Sequence, residues 1–571
     1  VNNTWDRDVD VLVVGTGAAG LTAAITAAAW GSRTLVVESM PEWGGSTAGG
    51  GGEAWLPTNP LSRQAGRDGP PKDGSPVAGP PAAGPPKGDS PKGDSPEKAL
   101  AYLAAVVGDA GPASSPERRR AFVLTAPEAF TFLADLGVRW TLNRDHPDFY
   151  PDRVGGMTGR AVEVRPFDPR DLGPWASNGR LDAVFPLPVR ADDVRLIARA
   201  AANRDELVRG ARVLGRTAWD LARGRHLVSG GAALSASLMT IVLSQCTEVL
   251  LSTPLRGFEL DRDRRAVTGA ILAGPDGRLI RVRVRRGIVL AAGGFARNTS
   301  WRLKYHGIPG YSSAADGDTG DVIALAEDIG ARLTLMEDAW WGASLALPDG
   351  YAFSVFERSL PFSIMVDADG SRFVNESASS VDVGRAMLAD RNANPSWLVT
   401  DARHHHRYRN SATSGGEGRL RAAGLAHSAG TVEDLAIAIE VDPARLRATV
   451  ARFNAFARAG VDRDFGRGNN VSDNYYGDPL VGPNPNLGPL EKAPYSAFLM
   501  VPGDRGTKGG LLTDTDGRVL DLDGQSITGL YAAGNTAASV MGPADPGPGS
   551  AVGAAIVFGY RAARHAAARD R

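Results

Sequence analysis

Residues Val9 to Glu38 constrain the fold more than any other stretch of the chain. Val9–Val14 (VDVLVV) is an almost unbroken apolar, β-branched run, the pattern of a strand buried in a parallel sheet. It leads into Gly15-Thr16-Gly17-Ala18-Ala19-Gly20 and a small-residue helix, Leu21 to Trp30, stopped by Gly31. A second apolar run, Thr34–Val37, ends on Glu38. In this βαβ unit Gly15 permits the tight turn, Gly17 lets a pyrophosphate approach the backbone, and Gly20 lets helix and strand pack closely. The helix start at Ala18 and Ala19 offers N–H groups and a positive dipole end to phosphate. Glu38, with Ser39 beside it, is placed to meet a ribose hydroxyl. A glycine turn alone is only a turn. Strand, turn, helix, strand and acid in this order predict a bound dinucleotide.

A second glycine run indicates which one. Trp43 to Gly52 contains far more glycine than a connection needs, and it suits backbone laid against a flat, polar-edged ring such as a flavin. Gly45, Ser46, Thr47, Gly50 and Gly51 are the expected contacts, unless these are packing glycines. Late in the chain Ala532-Ala533-Gly534-Asn535 offers another contact. A helix start after Pro548-Gly549-Ser550, including Val552, would stabilise negative charge on the N1/C2 side of a reduced flavin. Composition agrees: 70 of 571 residues are glycine, well above the roughly 7% of average proteins. A hydrophobic fraction of 43% marks most of the chain as globular.

The order of elements points to one nucleotide-binding domain split by a second. Strand-like segments run from Arg256 to Ala292 and end in Ala291-Ala292-Gly293-Gly294. Mixed helix and loop follow to Pro494, and the last part returns to strand, turn and a small-residue helix, Ala551–Ala568. The expected boundaries are 1–300 and 495–571 for the α/β domain and 301–494 for the inserted one. Residues 64–96 are dominated by proline and glycine and cannot bury enough surface to offset their ordering entropy, so a flexible insertion is expected there.

Several classes are excluded. Lys+Arg 63 against Asp+Glu 64 argues against a nucleic-acid or anionic-membrane binder. The most apolar stretch, Ala232–Leu251, is broken by Ser244, Gln245, Thr247 and Glu248, so no transmembrane segment is expected. A single cysteine, Cys246, excludes an internal disulfide, and a cytoplasmic protein is expected. His404-His405-His406 sits among cationic neighbours with its rings pointing in different directions, which reads as a solvated basic turn, not a metal site.

The strings GTGAAGLTAA, GGSTAGGGGEAWLP, PFDPRDLG, ERSLPFSIMVDADGSRFVNES, NPNLGPLEKAPY, VPGDRGTKGGLLTD and GLYAAGNTAASVMG together resemble the FAD-dependent 3-ketosteroid Δ1-dehydrogenases. These belong to the wider fumarate reductase/succinate dehydrogenase flavoprotein group, and the resemblance spans nearly the whole chain outside the insertion. It implies a Rossmann-like FAD-binding domain of the glutathione-reductase type, split by an α+β catalytic domain. It also implies non-covalent FAD, with Ala292, Gly293 and Asp318 among its contacts. The implied reaction removes two hydrogens beside a ketone, proton from one carbon and hydride from its neighbour. The partners would be a small-molecule ketone or enone and an electron acceptor of unspecified identity.

The family's catalytic pattern is altered here. The carbonyl clamp comes from a tyrosine and a glycine in a Tyr-Pro-Gly-Pro-Gly loop; this chain has Asp545-Pro546-Gly547-Pro548-Gly549, so Gly549 carries over and the tyrosine does not. Where the family places a tyrosine base after Asn-Glu-Ser, this chain has Ser380, a poor base without a partner. A third tyrosine position matches Tyr150, or Phe149 with an alignment shift of one. Asp545, kept neutral, would donate to a ketone oxygen; it could instead act as a base or simply cap its loop. Trp340, Trp341, Phe353, Phe356 and Phe362 suit either an apolar substrate pocket or ordinary core, and Asp316–Asp321 looks like a capped helix entry. The expectation is a flavin dehydrogenase of a polycyclic or alicyclic ketone. An ene-reductase or flavin oxidase, or a catalytically silent flavin binder, are the alternatives.

Overall fold

In a computed structural model, the described residues are 5–65, 93–181, 188–191, 193, 204–263, 266–348, 350–353, 356–408 and 417–569. The stretch read as a flexible insertion lies for the most part outside them. The next element is the helix Pro96–Val107, whose start is fixed by Ser95: its hydroxyl accepts from the Lys98 N–H at 3.2 Å, and Pro96 takes the first turn.

The apolar runs of the sequence form the centre of an eight-stranded sheet. Its order is Arg518–Leu520, Ser526–Ala532, Leu279–Leu290, Arg7–Val14, Thr34–Val37 and Glu248–Leu250, parallel except at the first, edge strand. The strands Leu255–Leu260 and Val267–Ala273 extend it antiparallel along the outer half of Leu279–Leu290. Val11 to Val14 are buried because both faces are covered. On one face the helix Ala18–Ala29 packs against Ser550–Ala568, two stripes of alanine and glycine that let the backbones approach closely. An added Cβ on Gly559 would lie 2.5 Å from the Ala19 carbonyl oxygen.

A second, antiparallel sheet has the order Gly350–Phe353, Ala339–Leu347, Tyr495–Thr507, Ser396–Thr400 and Ser363–Val366, with Ala426–Ala429 pairing the long central strand. The boundary expected at residue 494 thus falls immediately before a strand whose partners all lie in this second sheet. Tyr495–Thr507 carries the chain out of the inserted unit and ends at the cleft between the two sheets' loops. A small sheet of Ala54–Trp55, Ala161–Val164 and Trp140–Leu142 braces the loop before the last helix: the Trp55 N–H donates to the Gly549 carbonyl at 3.1 Å.

Two local expectations change. His404 lies in the helix Ala402–Arg407, buried and bonded through Nε2 to the Glu357 carbonyl at 3.0 Å; burial pushes it down to about 4, so it is neutral and part of the core. Of the three histidines only His406 is exposed, because one helical face is turned inward. The helix Asp321–Glu327 begins at Gly320 in a left-handed conformation without a side-chain cap, since Asp318 points elsewhere. Among the described residues no helix is long and apolar enough to cross a membrane, and no His/Cys/Asp/Glu cluster is arranged to hold a metal.

Candidate active site

A cavity of about 270 Å³ runs along the carboxyl ends of the parallel strands. Its floor is the turn after the first strand. Cβ atoms added to Gly15 and Gly20 would meet backbone oxygens at 2.3 and 1.9 Å, so these glycines are required by chain packing. Gly17 differs: its Cβ would meet only the Thr47 hydroxyl, at 3.4 Å, and would otherwise project into the cavity. The helix behind it has no side-chain cap. The Ala18 N–H donates to Thr47 Oγ1 at 3.0 Å, and the following N–H groups face an opening suited to phosphate.

Glu38 stands buried at the end of the second strand. One carboxylate oxygen accepts from the Thr16 N–H (3.0 Å) and hydroxyl (2.6 Å), the other from the Met40 N–H (3.0 Å), which fixes it at the cavity wall. Ser39, Gly45, Ser46, Thr47, Ala292 and Gly293 continue the lining. Asp318 completes that side: burial pushes its carboxyl up to about 7, against hydrogen bonds from Ser46 and the Gly294 N–H. At the far end Gly534, Asn535, Ala551 and Val552 line the cavity, the last two in the uncapped first turn of Ser550–Ala568. Gly20, Gly50, Gly51 and Ser550 stand outside the lining. Gly50 receives the Gly231 N–H at 2.9 Å, and the Ser550 hydroxyl donates to the Gly547 carbonyl at 2.6 Å. The donor set, a dipole-bearing helix start, a fixed acid and a long glycine-lined slot, fits an FAD.

A smaller cavity of about 60 Å³ shares one residue with the first: Arg505 lines both. Arg505 is the only exposed position in Tyr495–Thr507. Gly549 and Ser380, expected at the site, both line this cavity. Gly549 is left-handed (φ 80°) and caps the last helix; its Cβ would lie 2.1 Å from the Glu53 carbonyl, so only glycine fits. Its N–H has no hydrogen-bond partner among the described residues. Ser380 opens the helix Ser380–Ala389, and its hydroxyl accepts from Arg358 Nη2 at 3.0 Å. Arg358 also donates to the Glu376 and Ala378 carbonyls; burial lowers it to about 10, so it remains a cation at neutral pH.

Tyr150 and Asp545 are outside this lining. The Tyr150 hydroxyl donates to Asp382 Oδ1 at 3.2 Å and accepts from the Ser379 hydroxyl at 3.3 Å, while its neighbour Phe149 faces the cavity. Asp545 is buried, which raises its carboxyl, and it lies in the fields of Arg505 and of Lys508. Burial brings Lys508 down to about 8; its ammonium donates to the Ala544 carbonyl at 2.8 Å and sits 4.5 Å over the Trp340 ring. Trp340, Trp341 and Phe362 are buried away from the smaller cavity, Trp341 donating to Asp338 at 3.0 Å. The side chains of Phe353 and Phe356 lie outside the description.

Five lining residues have no counterpart in the sequence reading: Glu53, Arg358, Ser472, Tyr476 and Arg505. Behind them stands His146, with Nδ1 2.8 Å from Glu53 Oε1 and Nε2 2.8 Å from the Tyr476 hydroxyl. The one signal for any of them was charge or phenol inside otherwise apolar or glycine-rich strings: Arg505 in VPGDRGTKGG and Tyr476 in NYYGDP. The arrangement brings a free N–H donor, two guanidinium groups and a hydroxyl–imidazole–carboxylate chain to the edge of the flavin cleft. Such a site can polarise a carbonyl and move a proton beside it.

The profile of the FAD binding domain family matches residues 10–75 and 78–552. The chain is 38% identical to a 3-oxosteroid 1-dehydrogenase of Mycobacterium tuberculosis over 98% of both chains. It is 33% identical to a 4-oxocyclohexanecarboxylate 2-dehydrogenase of Sinomonas cyclohexanicum over 97% of this chain and 92% of that one. The crystal structure of 3-ketosteroid delta1-dehydrogenase from Sterolibacterium denitrificans in complex with 1,4-androstadiene-3,17-dione superimposes with a TM-score of 0.88 at 34% identity, covering 98% and 100% of the two chains.

Proposed function

The chain belongs to the FAD binding domain family and, within it, to the group of the 3-oxosteroid 1-dehydrogenases, and from that premise we propose that it dehydrogenates a CH–CH bond beside the ketone of a steroid-type ring. The observation that carries this reading is the unpartnered Gly549 N–H at the head of Ser550–Ala568, in a cavity that meets the cofactor cleft at Arg505.

The ketone oxygen takes a hydrogen bond from the Gly549 N–H, reinforced by the helix dipole behind it, and the α-hydrogen becomes more acidic. Arg505 adds positive charge as the enolate forms. Bound FAD supplies the acceptor for the hydride that leaves the neighbouring carbon. Ser380, held by Arg358, orients the ring and does not serve as the base. Asp545, buried in the fields of Arg505 and Lys508, sets the charge around the loop instead of touching the ketone.

Anaerobic mixing of the yellow holoenzyme with a saturated 3-ketosteroid tests the proposal. Bleaching of the oxidised-flavin band, with a product two hydrogens lighter, is expected. An unchanged band with both the steroid and a simple ring ketone would overturn it.

A second substrate reading rests on the smaller cavity, which is about 60 Å³ in volume and carries the guanidinium groups of Arg358 and Arg505. Those features favour a small alicyclic keto acid, the kind of substrate named for the Sinomonas cyclohexanicum relative. On this reading Arg505→Ala weakens binding of 4-oxocyclohexanecarboxylate about tenfold or more and leaves a neutral ring ketone unaffected. Equal weakening of both would remove it.

A further inference from the structure

Resting on the reading of the chain as a ketone dehydrogenase, we infer that Tyr476 is the catalytic residue that takes the α-hydrogen, and that His146 and Glu53 are positioning residues, His146 taking the phenol's own proton and Glu53 holding the imidazole.

The three come from separate elements. Glu53 precedes the strand Ala54–Trp55, His146 follows Trp140–Leu142, and Tyr476 ends the short helix Val471–Tyr475. Tyr476 lines the smaller cavity together with Gly549 and Ser380. Behind its hydroxyl the contacts run in line: 2.8 Å to His146 Nε2, then 2.8 Å from Nδ1 to Glu53 Oε1. A carboxylate only accepts, so Nδ1 carries the hydrogen and Nε2 is left to accept from the phenol. Asn143 donates to the same carboxylate oxygen at 2.8 Å. The imidazole is clamped by stacking on Tyr475, with ring centroids 4.3 Å apart and planes 11° from parallel. Burial pushes Glu53 up, but His146, Asn143 and Arg505 outweigh it, and the carboxyl lies below its ordinary value, so it is ionised and accepts the Nδ1 hydrogen.

A lone phenol here would be a poor base, because burial raises Tyr476 above its ordinary value. The relay removes that difficulty. As the α C–H bond breaks, its proton forms a new O–H bond on Tyr476, whose own hydrogen passes to Nε2. The Nδ1 hydrogen stays on the ring, hydrogen-bonded to the Glu53 carboxylate, which stabilises the imidazolium that forms. The C–H electron pair stays on the enolate facing the Gly549 N–H, and the hydride leaves the neighbouring carbon with its own pair for the bound FAD. Ser380 has no such outlet, since its partner Arg358 only donates.

The experiment separates proton removal from hydride transfer. Holoenzyme reduced beforehand cannot accept a hydride, so α-hydrogen exchange of a saturated 3-ketosteroid or 4-oxocyclohexanecarboxylate in D₂O, followed by NMR, reads the base alone. Tyr476→Phe is expected to retain FAD and to lose about a hundredfold or more of the exchange rate. His146→Gln keeps a hydrogen-bonding side chain but cannot shuttle a proton, and it should lower kcat at unchanged KM. Exchange by Tyr476→Phe at the wild-type rate, or none by the wild type with either ketone, overturns the relay. If Tyr476→Phe loses its FAD, His146→Gln decides, and a wild-type kcat there overturns it. A wild type that exchanges without ever bleaching its flavin would sink the dehydrogenase reading and leave the relay standing. Fast bleaching by Tyr476→Phe would do the reverse.

Discussion

The two cavities are built by opposite means. The large one takes its shape from backbone: Gly15, Gly17 and Gly20 in one turn, Gly293 in another, and two uncapped helix starts. The small one takes its shape from long side chains, with Glu53, Arg358, Tyr476 and Arg505 each reaching in from a different element. A site made of backbone is fragile to a single added methyl group and tolerant of most side-chain exchange around it. A site made of side chains has the opposite sensitivities, and a substitution there alters chemistry before it alters the fold.

The largest expected effects lie within the glycine turn and divide it. Gly20→Ala places a Cβ 1.9 Å from the Gly15 oxygen and should destabilise the chain by about 3 kcal/mol or more, seen as lost soluble yield. Gly17→Ala meets nothing closer than 3.4 Å, so the protein should fold and melt normally yet purify colourless. A yellow Gly17→Ala protein would break the claim that this position faces the cofactor.

A graded effect comes from a titration. Burial holds Asp318 up at about 7, so between roughly pH 4 and 7 the folded chain keeps a proton that the unfolded chain has released. Stability of the cofactor-free protein should therefore fall as pH rises through that window, by up to about 4 kcal/mol from this group. His404, held down at about 4, works in the opposite sense, because there the unfolded chain holds the extra proton. The quantity to measure is thus the difference between wild type and Asp318→Asn in urea unfolding. Parallel curves across the window would count against a buried, protonated Asp318.

In the smaller cavity Gly549→Ala sharpens the contrast from the other side. The new Cβ would sit 2.1 Å from the Glu53 carbonyl at a φ of 80°, displacing the N–H donor. Flavin reduction should slow by about a hundredfold or more while the FAD stays bound. Loss of FAD together with rate would show the two cavities to be one unit.

The same contrast explains what could be read in advance. The strand at Val9–Val14, the turn and Glu38 follow one another in sequence, so their periodicity and spacing already contain their geometry. Ser380 and Gly549 were found through a family string, and both line the smaller cavity. Glu53, His146 and Tyr476 were hidden: they come together only when the sheet at Ala54–Trp55 closes on the loop after Leu142 and the helix Val471–Tyr475. No spacing rule links positions that far apart. His404 misled for the reverse reason, since the three-histidine string says nothing of which face a six-residue helix buries.

The smallest effect is the most discriminating. Ser380 occupies the family's tyrosine place, so a direct transfer of roles makes it the base; its contacts argue otherwise. Its hydroxyl oxygen accepts from a buried guanidinium at 3.0 Å, which withdraws the lone pair a base would use and offers no acceptor for the hydroxyl proton. Ser380→Ala should therefore change the rate of flavin reduction by no more than about fivefold, well below the effect of removing a general base. Arg358 keeps the Glu376 and Ala378 carbonyls as partners, so the variant should not leave the guanidinium stranded. A hundredfold loss in Ser380→Ala, with Tyr476→Phe near wild type, would return the base to the place the family assigns it. The smaller cavity would then differ from its relatives in residue type alone, and not in the route the proton takes.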